Sequence, residues 1–380
     1  MNARRTLVRK ALSLVGLAAL MVLGACSSGP AKLKPAELSP PANKILAQAI
    51  WSTQVGASAS ALAPFSFQGR LYLAGGAGTV AVVDATSGKD VWRLNLGTPL
   101  ATGPGSDGQV TAVVTQSHQL VAISDGREVW RAQLPSAAYT APLVAGRRVF
   151  VLTADRSVLA FDGQSGARLW TQSRPGEPLV LRQQGVLLAV GDTLVAGLSG
   201  RLVGLSPGNG APRWDVQVAN SRGTNEVERL VDLVGPVSRV GNSVCARAYN
   251  SSVACVDADA GRVVWSKPAQ GVVGVHGDGQ LVLGAEADGR MVAWRRADGD
   301  KAWELDRLKY RELSAPLSLE RLLVVGDGSG QVHLLSTADG SELTRLSTDG
   351  SAVMAAPVLS GPALVVQTRN GGVFAWRPQP

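Results

Sequence analysis

The residue types that usually carry out catalysis or bind metals are few in this chain and far apart. Its histidines are His118, His276 and His333, and none has a cysteine or carboxylate at the spacing of a zinc site. Gly204-Leu-Ser-Pro-Gly208 matches the Gly-x-Ser-x-Gly pattern of a nucleophilic serine. That chemistry needs a strand that feeds directly into a helix, whereas Ser206 is followed by proline and another apolar strand. We therefore expect surface or turn histidines, a Ser206 that lies in a turn, and no catalytic site, metal or cofactor.

A repeat of about 40 residues dominates the sequence. In each copy an apolar strand ends in a polar residue, passes through a glycine turn and usually reaches a tryptophan, as in Asp162-Gly-Gln-Ser-Gly166-Ala-Arg-Leu-Trp170. The strand-end positions are Asp84, Ser124, Asp162, Ser206, Asp257, Arg295, Ser336 and Arg377, with spacings of 38 to 51 residues. This period suits a four-stranded propeller blade. The sequence predicts an all-β, eight-bladed propeller of four-stranded antiparallel blades with tryptophan-docking repeats like those of quinoproteins.

The tryptophans of the repeat are predicted to dock each blade against the next. They are Trp92, Trp130, Trp170, Trp214, Trp265 and Trp303. A large apolar ring suits such packing, and each indole N–H then needs an acceptor. The seventh copy has Thr344 at this position, and the eighth copy ends before reaching it.

The ends of the repeat array predict how the propeller closes. The last copy lacks an outer strand, while residues 48–53, around Trp51, resemble an outer strand without a blade. Pairing the two completes the eighth blade and removes an open sheet edge. Cys245 and Cys255 fall on neighbouring strands of one predicted hairpin. They are either a disulfide or two small buried thiols.

Residues 1–25 have the pattern of a bacterial secretory signal, with four basic residues before an apolar run over 11–22. The ending Leu23-Gly-Ala-Cys26 resembles the lipobox of bacterial lipoproteins. That resemblance implies lipidation of Cys26, and Ser27 after it favours a periplasm-facing position on the outer membrane. The alternative is an ordinary signal peptide with an incidental cysteine. Residues 26–44 then predict a lipidated, proline-rich tether, and residues 45–380 the propeller.

Net charge gives no indication of a nucleic-acid partner. The full chain carries +8, but four of its 37 basic residues and none of its 29 acidic residues lie in the signal. The mature chain therefore has 33 basic and 29 acidic residues, a net charge of +4. This is too small for the basic surface that nucleic-acid binding requires.

Two consecutive blade-to-blade connections, residues 171–185 and 215–235, are longer than the others. Such connections lie on one face of a propeller, and insertions in repeat proteins often build the binding surface. The first contains Leu179-Val-Leu-Arg182, whose leucines beside an arginine suit an interface anchor. The alternative is that both are ordinary long loops with leucines tucked under the blade.

The lipobox, the tether and the eight repeats together resemble the BamB family of propeller lipoproteins, over essentially the whole chain. The resemblance implies a non-enzymatic scaffold of the outer-membrane β-barrel assembly (BAM) complex that binds the periplasmic POTRA domains of BamA and assists folding and insertion of nascent outer-membrane proteins. The family's contact residues match Leu179, Leu181, Arg182 and Asp232. Val234 stands where the family has a second acid, which puts half of the acidic contact in doubt.

Two other functions stay open at this stage. Dehydrogenases that use pyrroloquinoline quinone have similar tryptophan repeats, but they are longer and carry a vicinal disulfide, which this chain lacks. A lipoprotein propeller that binds a different envelope partner is the other possibility.

Overall fold

The computed structural model describes residues 33–175, 179–220, 224–226 and 229–379. The chain divides into a unit of residues 1–35, of which only residues 33–35 are described, and a unit of residues 36–380. All regular secondary structure in the described ranges is β-strand, and the strands form eight four-stranded sheets. Strand pairing within each sheet is antiparallel throughout.

The first strand, β1 (Leu46–Gln54), belongs to the last blade. Blade 1 contains β2 (Phe65–Phe67), β3 (Arg70–Ala74), β4 (Thr79–Asp84) and β5 (Asp90–Asn95). Blade 2 contains β6 (Gly105–Ser106), β7 (Thr111–Val114), β8 (Gln119–Ser124) and β9 (Arg127–Gln133). Blade 3 contains β10 (Leu143–Ala145), β11 (Arg148–Leu152), β12 (Ser157–Asp162) and β13 (Arg168–Ser173). Blade 4 contains β14 (Leu187–Val190), β15 (Thr193–Leu198), β16 (Arg201–Leu205) and β17 (Pro212–Gln217).

Blade 5 contains β18 (Leu233–Val240), β19 (Ser243–Ala248), β20 (Ser252–Asp257) and β21 (Arg262–Pro268). Blade 6 contains β22 (Val275–Gly277), β23 (Leu281–Ala285), β24 (Met291–Arg295) and β25 (Lys301–Leu305). Blade 7 contains β26 (Leu317–Leu319), β27 (Leu322–Gly326), β28 (Gln331–Ser336) and β29 (Glu342–Ser347). Blade 8 contains β30 (Val358–Ser360), β31 (Ala363–Gln367) and β32 (Gly372–Gln379), with β1 as its outer strand. The predicted eight-bladed fold and its N-terminal closure are confirmed.

Burial along each blade explains the repeat. In β4 the four residues Val80 to Val83 are fully buried, because neighbouring blades cover both faces of the sheet. The polar residue that ends the strand holds the next turn, since the Asp162 carboxylate accepts the Ser165 N–H at 2.8 Å. This bond and the Ser165 hydroxyl lower the pKa of Asp162 below its ordinary value. The repeated Asp or Ser is therefore a turn residue, as expected from the sequence.

Tryptophan side chains connect neighbouring blades at seven positions. Each ring lies against the turn glycine of the next blade: Trp51 on Gly88, Trp92 on Gly126, Trp130 on Gly166, Trp170 on Gly210, Trp214 on Gly261, Trp265 on Gly299 and Trp303 on Gly340. A Cβ added at Gly166 would lie 2.7 Å from the Trp130 ring, so a larger residue would force the blades apart. The expected indole bonds are present at several of these seams, for example from Trp130 Nε1 to the Gly163 carbonyl at 2.9 Å.

The seam between blades 7 and 8 differs for a topological reason. The outer strand of blade 8 comes from the N-terminus, so no hairpin with a glycine joins its third and fourth strands. A tryptophan at position 344 would have no such turn to cover. Thr344 instead donates its hydroxyl to the Asn43 side chain at 3.3 Å. The weak copy of the repeat is thus a consequence of how the ring closes.

Three minor expectations have different outcomes. Ser206 lies in a turn as predicted, because the Gly210 N–H donates to its carbonyl at 2.8 Å. The prediction for the histidines is right for His118, at φ 61° in a turn, and wrong for His276, half-buried in β22, and for His333. His333 is fully buried in β28, with Nε2 3.1 Å from an Asp327 oxygen. Its partner Asp327 lies six residues earlier, in the turn between β27 and β28, and the apolar residues around His333 did not reveal this pairing.

Cys245 and Cys255 are bonded as a disulfide between directly paired residues of β19 and β20. In the described ranges, no group of three or more histidine, cysteine or acidic residues is arranged to hold a metal ion. The described residues also contain no helix with the length and hydrophobicity needed to cross a membrane.

Candidate partner-binding surface

The two enlarged connections lie side by side on the propeller. The first follows β13 and leads into blade 4, and the second follows β17 and leads into blade 5. One direct contact between them is a hydrogen bond from the Leu181 N–H to the Asp232 carboxylate, at 2.9 Å across 51 residues of sequence. Four of the residues singled out in the sequence therefore form one surface, defined here as the partner surface: Leu179, Leu181, Arg182 and Asp232.

The members of the partner surface differ in exposure. Leu179 is 36% exposed, and Arg182 is also exposed. Leu181 and Asp232 are half-buried beneath them. The side chains available to another molecule are thus one apolar group and one cation, while the other two residues support them.

The environment of Asp232 fits this supporting position. Its burial raises the pKa of the carboxyl above the ordinary value, although the Leu181 N–H and the nearby charge of Arg156 act in the opposite direction. A half-buried carboxylate that accepts a backbone N–H fixes the path of the chain that donates it. Asp232 therefore holds the segment of residues 179–182 in place.

Arg156 is a second support that was not predicted from the sequence. It lies in the turn between β11 and β12 with φ 60°, is 7% exposed, and donates from Nη2 to the Leu179 carbonyl at 3.1 Å. The equivalent turn position in blades 1, 6, 7 and 8 is a glycine with positive φ: Gly78, Gly289, Gly330 and Gly371. A bulky residue in this conformation is strained and often marks a functional position. Blade 2 also has a non-glycine residue, His118, with φ 61° at this position, so the bond to Leu179 and not the departure from glycine identifies Arg156 as a support.

The chain after Arg182 is also fixed by specific bonds. The Gln183 side chain donates to the Val272 carbonyl at 3.0 Å, and the Gly185 N–H donates to the Thr140 hydroxyl at 2.9 Å. The Gln184 carbonyl accepts the Gly235 N–H at 2.8 Å. These bonds reach three other parts of the propeller, so residues 183–185 form a rigid base for the partner surface.

A small cavity of about 60 Å³ lies under this segment, bordered by Val180, Leu181, Asp232 and Val234 among others. Val234, at the position where a second acid was expected, is 1% exposed in β18 and pairs with Arg247. It is therefore inside the blade and does not contribute to the exposed surface.

Comparisons with known proteins identify the family of this chain. A family model described as outer membrane protein assembly factor BamB matches residues 76–305. The chain is 37% identical to the outer membrane protein assembly factor BamB of Burkholderia pseudomallei, over 98% of this chain and 99% of that protein. The chain belongs to the BamB family.

Among solved structures, one belongs to the same family and another shares only the fold. The crystal structure of BamB from Moraxella catarrhalis superposes with a TM-score of 0.80 at 26% identity, covering 87% of this chain and all of that one. The quinohemoprotein alcohol dehydrogenase of Comamonas testosteroni has a TM-score of 0.68 at 14% identity, covering 87% of this chain and 76% of that one. The second likeness is one of fold alone. Members of the BamB family are named as assembly factors, and this chain is not an enzyme.

Proposed function

We propose that this BamB-family chain is a scaffold subunit of the BAM complex, where it binds the periplasmic POTRA domains of BamA and assists the folding and insertion of outer-membrane proteins. The observation that supports this most is the construction of the partner surface. Leu179 and Arg182 are exposed on a segment whose backbone is held from below by Arg156 and Asp232. A preorganised segment loses little conformational entropy when it binds.

Each residue of the partner surface has a distinct part in the proposed contact. Leu179 enters an apolar hollow of the partner, and Arg182 orients it through charge-assisted hydrogen bonds to a carboxylate or carbonyl. Asp232 acts mainly by positioning Leu181, since one of its oxygens already accepts the Leu181 N–H. This changes the expectation from sequence, in which Asp232 contacted the partner directly.

The proposed location rests on sequence alone. Cys26 and the signal of residues 1–25 lie outside the described residues. Lipidation at Cys26 would attach the protein to the periplasmic side of the outer membrane, where a BAM subunit is required. Buried methylene groups of an acyl chain contribute about 0.8 kcal/mol each, and a multiply acylated cysteine is a firm anchor.

The test is the affinity of the purified protein for a fragment containing the BamA POTRA domains. Leu179→Ala combined with Arg182→Glu is expected to weaken binding at least 100-fold, because an apolar anchor is lost and a favourable charge becomes repulsive. The matched control is Leu169→Ala with Arg168→Glu, since this exposed leucine–arginine pair lies on β13 of the neighbouring blade. The control should bind normally. Equal binding by both double variants would contradict the proposal.

A further inference from the structure

The segment of residues 36–44, predicted from the sequence to be part of the tether, lies along the propeller. It is called the strap below. At its start the Ala36 N–H donates to the Lys309 carbonyl at 2.9 Å, and the Ala36 carbonyl accepts Arg311 Nη1 at 2.8 Å. At its end the Lys44 N–H donates to the Leu343 carbonyl at 2.7 Å. The start of the strap is therefore bonded to the connection before blade 7. Its end is bonded to β29, the outer strand of blade 7.

The contacts between these ends are specific. Leu38 packs against the apolar cluster of blades 6 and 7 that includes Leu308 and Leu313. The Ser39 carbonyl accepts Arg345 Nη2 at 2.9 Å. Prolines at positions 40 and 41 restrict the backbone, which reduces the entropy lost when the strap docks.

The residue that receives the strap is itself held firmly. Arg311 Nε lies 2.7 Å from the fully buried Asp327 carboxylate, and Arg311 Nη2 donates to the Ser329 hydroxyl at 2.8 Å. Hydrogen bonds from His333, Gln331, Arg311 and Ser329 outweigh the effect of burial and lower the pKa of Asp327 well below its usual range. The arginine that binds the Ala36 carbonyl is thus fixed before the strap arrives.

The strap begins on the same face of the propeller as the partner surface. In an antiparallel blade, the hairpin between the second and third strands and the connection to the next blade lie at the same end. Arg311 lies in such a connection and Asp327 in such a hairpin, as Leu181 and Arg156 do on blades 3 and 4. Ala36, the first residue of the strap, therefore lies on the face that carries Leu179 and Arg182.

We infer that the docked strap shortens the free tether and so limits how far the partner surface can stand from the lipid bilayer. This rests on the proposed lipidation of Cys26. Ten residue steps separate Cys26 from Ala36, which span at most about 35 Å when fully extended. With the strap released, nineteen steps to the start of the propeller would span up to about 65 Å. Docking roughly halves the reach of the anchored protein.

The experiment uses lipidated protein in a supported bilayer and in nanodiscs. Leu38→Glu places a charge against the apolar cluster and should release the strap, while the propeller strands stay intact. Leu33→Glu is the matched control, because Leu33 is 66% exposed and precedes the strap. Hydrogen exchange of the bonded amides of Ala36 and Lys44 should be at least ten times slower in the wild type and the control than in Leu38→Glu. Neutron reflectometry should show a thicker gap between bilayer and protein, by up to about 30 Å, only for Leu38→Glu.

The inference is overturned if the amides of Ala36 and Lys44 in the wild type exchange at the rate of an unstructured peptide, or if the gap is the same in all three proteins. A failure of lipidation is separable from these outcomes. Unlipidated Cys26→Ser protein should retain slow exchange in the strap and normal binding of the POTRA fragment in solution. If this variant keeps slow exchange in the strap but does not bind the POTRA fragment, the proposed function is contradicted. The inference about the strap would still be supported.

Discussion

The partner surface can be compared with the strap site, defined as the place where Arg311 binds the Ala36 carbonyl. Both use an arginine and an aspartate, but for opposite purposes. At the partner surface an arginine of a hairpin turn, Arg156, and an aspartate of a connection, Asp232, hold the backbone of residues 179–182. At the strap site the arginine, Arg311, is in the connection and the aspartate, Asp327, is in the hairpin turn. The first arrangement presents side chains to the outside, and the second binds a segment of the same chain.

The two aspartates show what separates a presenting site from a structural one. Asp327 is fully buried and accepts bonds from Arg311, His333 and Ser329, which lower its pKa. Asp232 is half-buried, and burial raises its pKa despite the bond from Leu181. A carboxylate surrounded by hydrogen-bond donors stabilises the fold, whereas one whose pKa is raised by burial stabilises it less. The carboxylate of Asp232 instead positions Leu181.

The largest expected difference between the two sites is in the stability lost when each aspartate is removed. Asp327→Ala leaves Arg311 without its buried partner, so the free energy of unfolding should fall by about 3–5 kcal/mol. Asp232→Ala removes one backbone bond and should cost about 1 kcal/mol. Chemical denaturation of both variants measures the difference. Equal losses would show that the two aspartates have the same structural importance.

The next effect is on binding. Arg156→Ala removes the donor to the Leu179 carbonyl, so residues 179–182 lose their fixed path, and affinity for the POTRA fragment should fall 10- to 100-fold. Arg311→Ala, at the equivalent place in the strap site, should leave that affinity in solution unchanged under conditions where it is folded. Isothermal titration calorimetry compares them. A weaker complex with Arg311→Ala alone would reverse the assignment of the two sites.

A smaller effect separates positioning by Asp232 from direct contact. Asp232→Asn keeps an oxygen that can accept the Leu181 N–H, so affinity should stay within about threefold of the wild type. Asp232→Ala loses this acceptor and should weaken binding about tenfold, or 1.4 kcal/mol. Surface plasmon resonance resolves both changes. If Asn is as damaging as Ala, the charge of Asp232 itself contacts the partner.

The smallest effect is the pH dependence of stability, which has opposite signs at the two sites. The lowered pKa of Asp327 gives stability that is present above pH 4 and is lost as the pH falls further. The raised pKa of Asp232 means that its ionised form is disfavoured in the fold, so stability decreases as the pH rises from about 4 through the folded pKa. Denaturation curves of Asp232→Asn between pH 4 and 7 should lack this decrease. An unchanged slope would contradict the effect of burial on Asp232.

Much of the architecture was predictable because the residues of the repeat interact over short distances along the chain. The strand-end residue, the turn glycine and the tryptophan act within one blade or against the next, so their spacing reappears in each copy. Trp51 was recognisable for the same reason. Thr344 was not explained by the repeat, because its neighbour Asn43 lies about 300 residues away in sequence.

The candidate site was predictable only in part. Long connections marked the region, and Leu179 and Arg182 are exposed as a binding segment requires. The support from Arg156 depends on a turn that contacts a different connection, and the burial of Val234 depends on pairing with β19. Such contacts between distant segments leave little trace in a single sequence. The docking of the strap was missed because its prolines and polar residues resemble a free linker.

Site-specific photocrosslinking in intact cells tests the central claim most directly. A photoreactive phenylalanine analogue placed at Leu179 should form an adduct with BamA, whereas the same group at Leu169, which is 47% exposed on β13, should not. Adding Arg182→Glu to the Leu179 probe should remove the adduct. An adduct of equal yield at Leu169, or none at Leu179 in a chain that still supports outer-membrane protein assembly, would contradict the account.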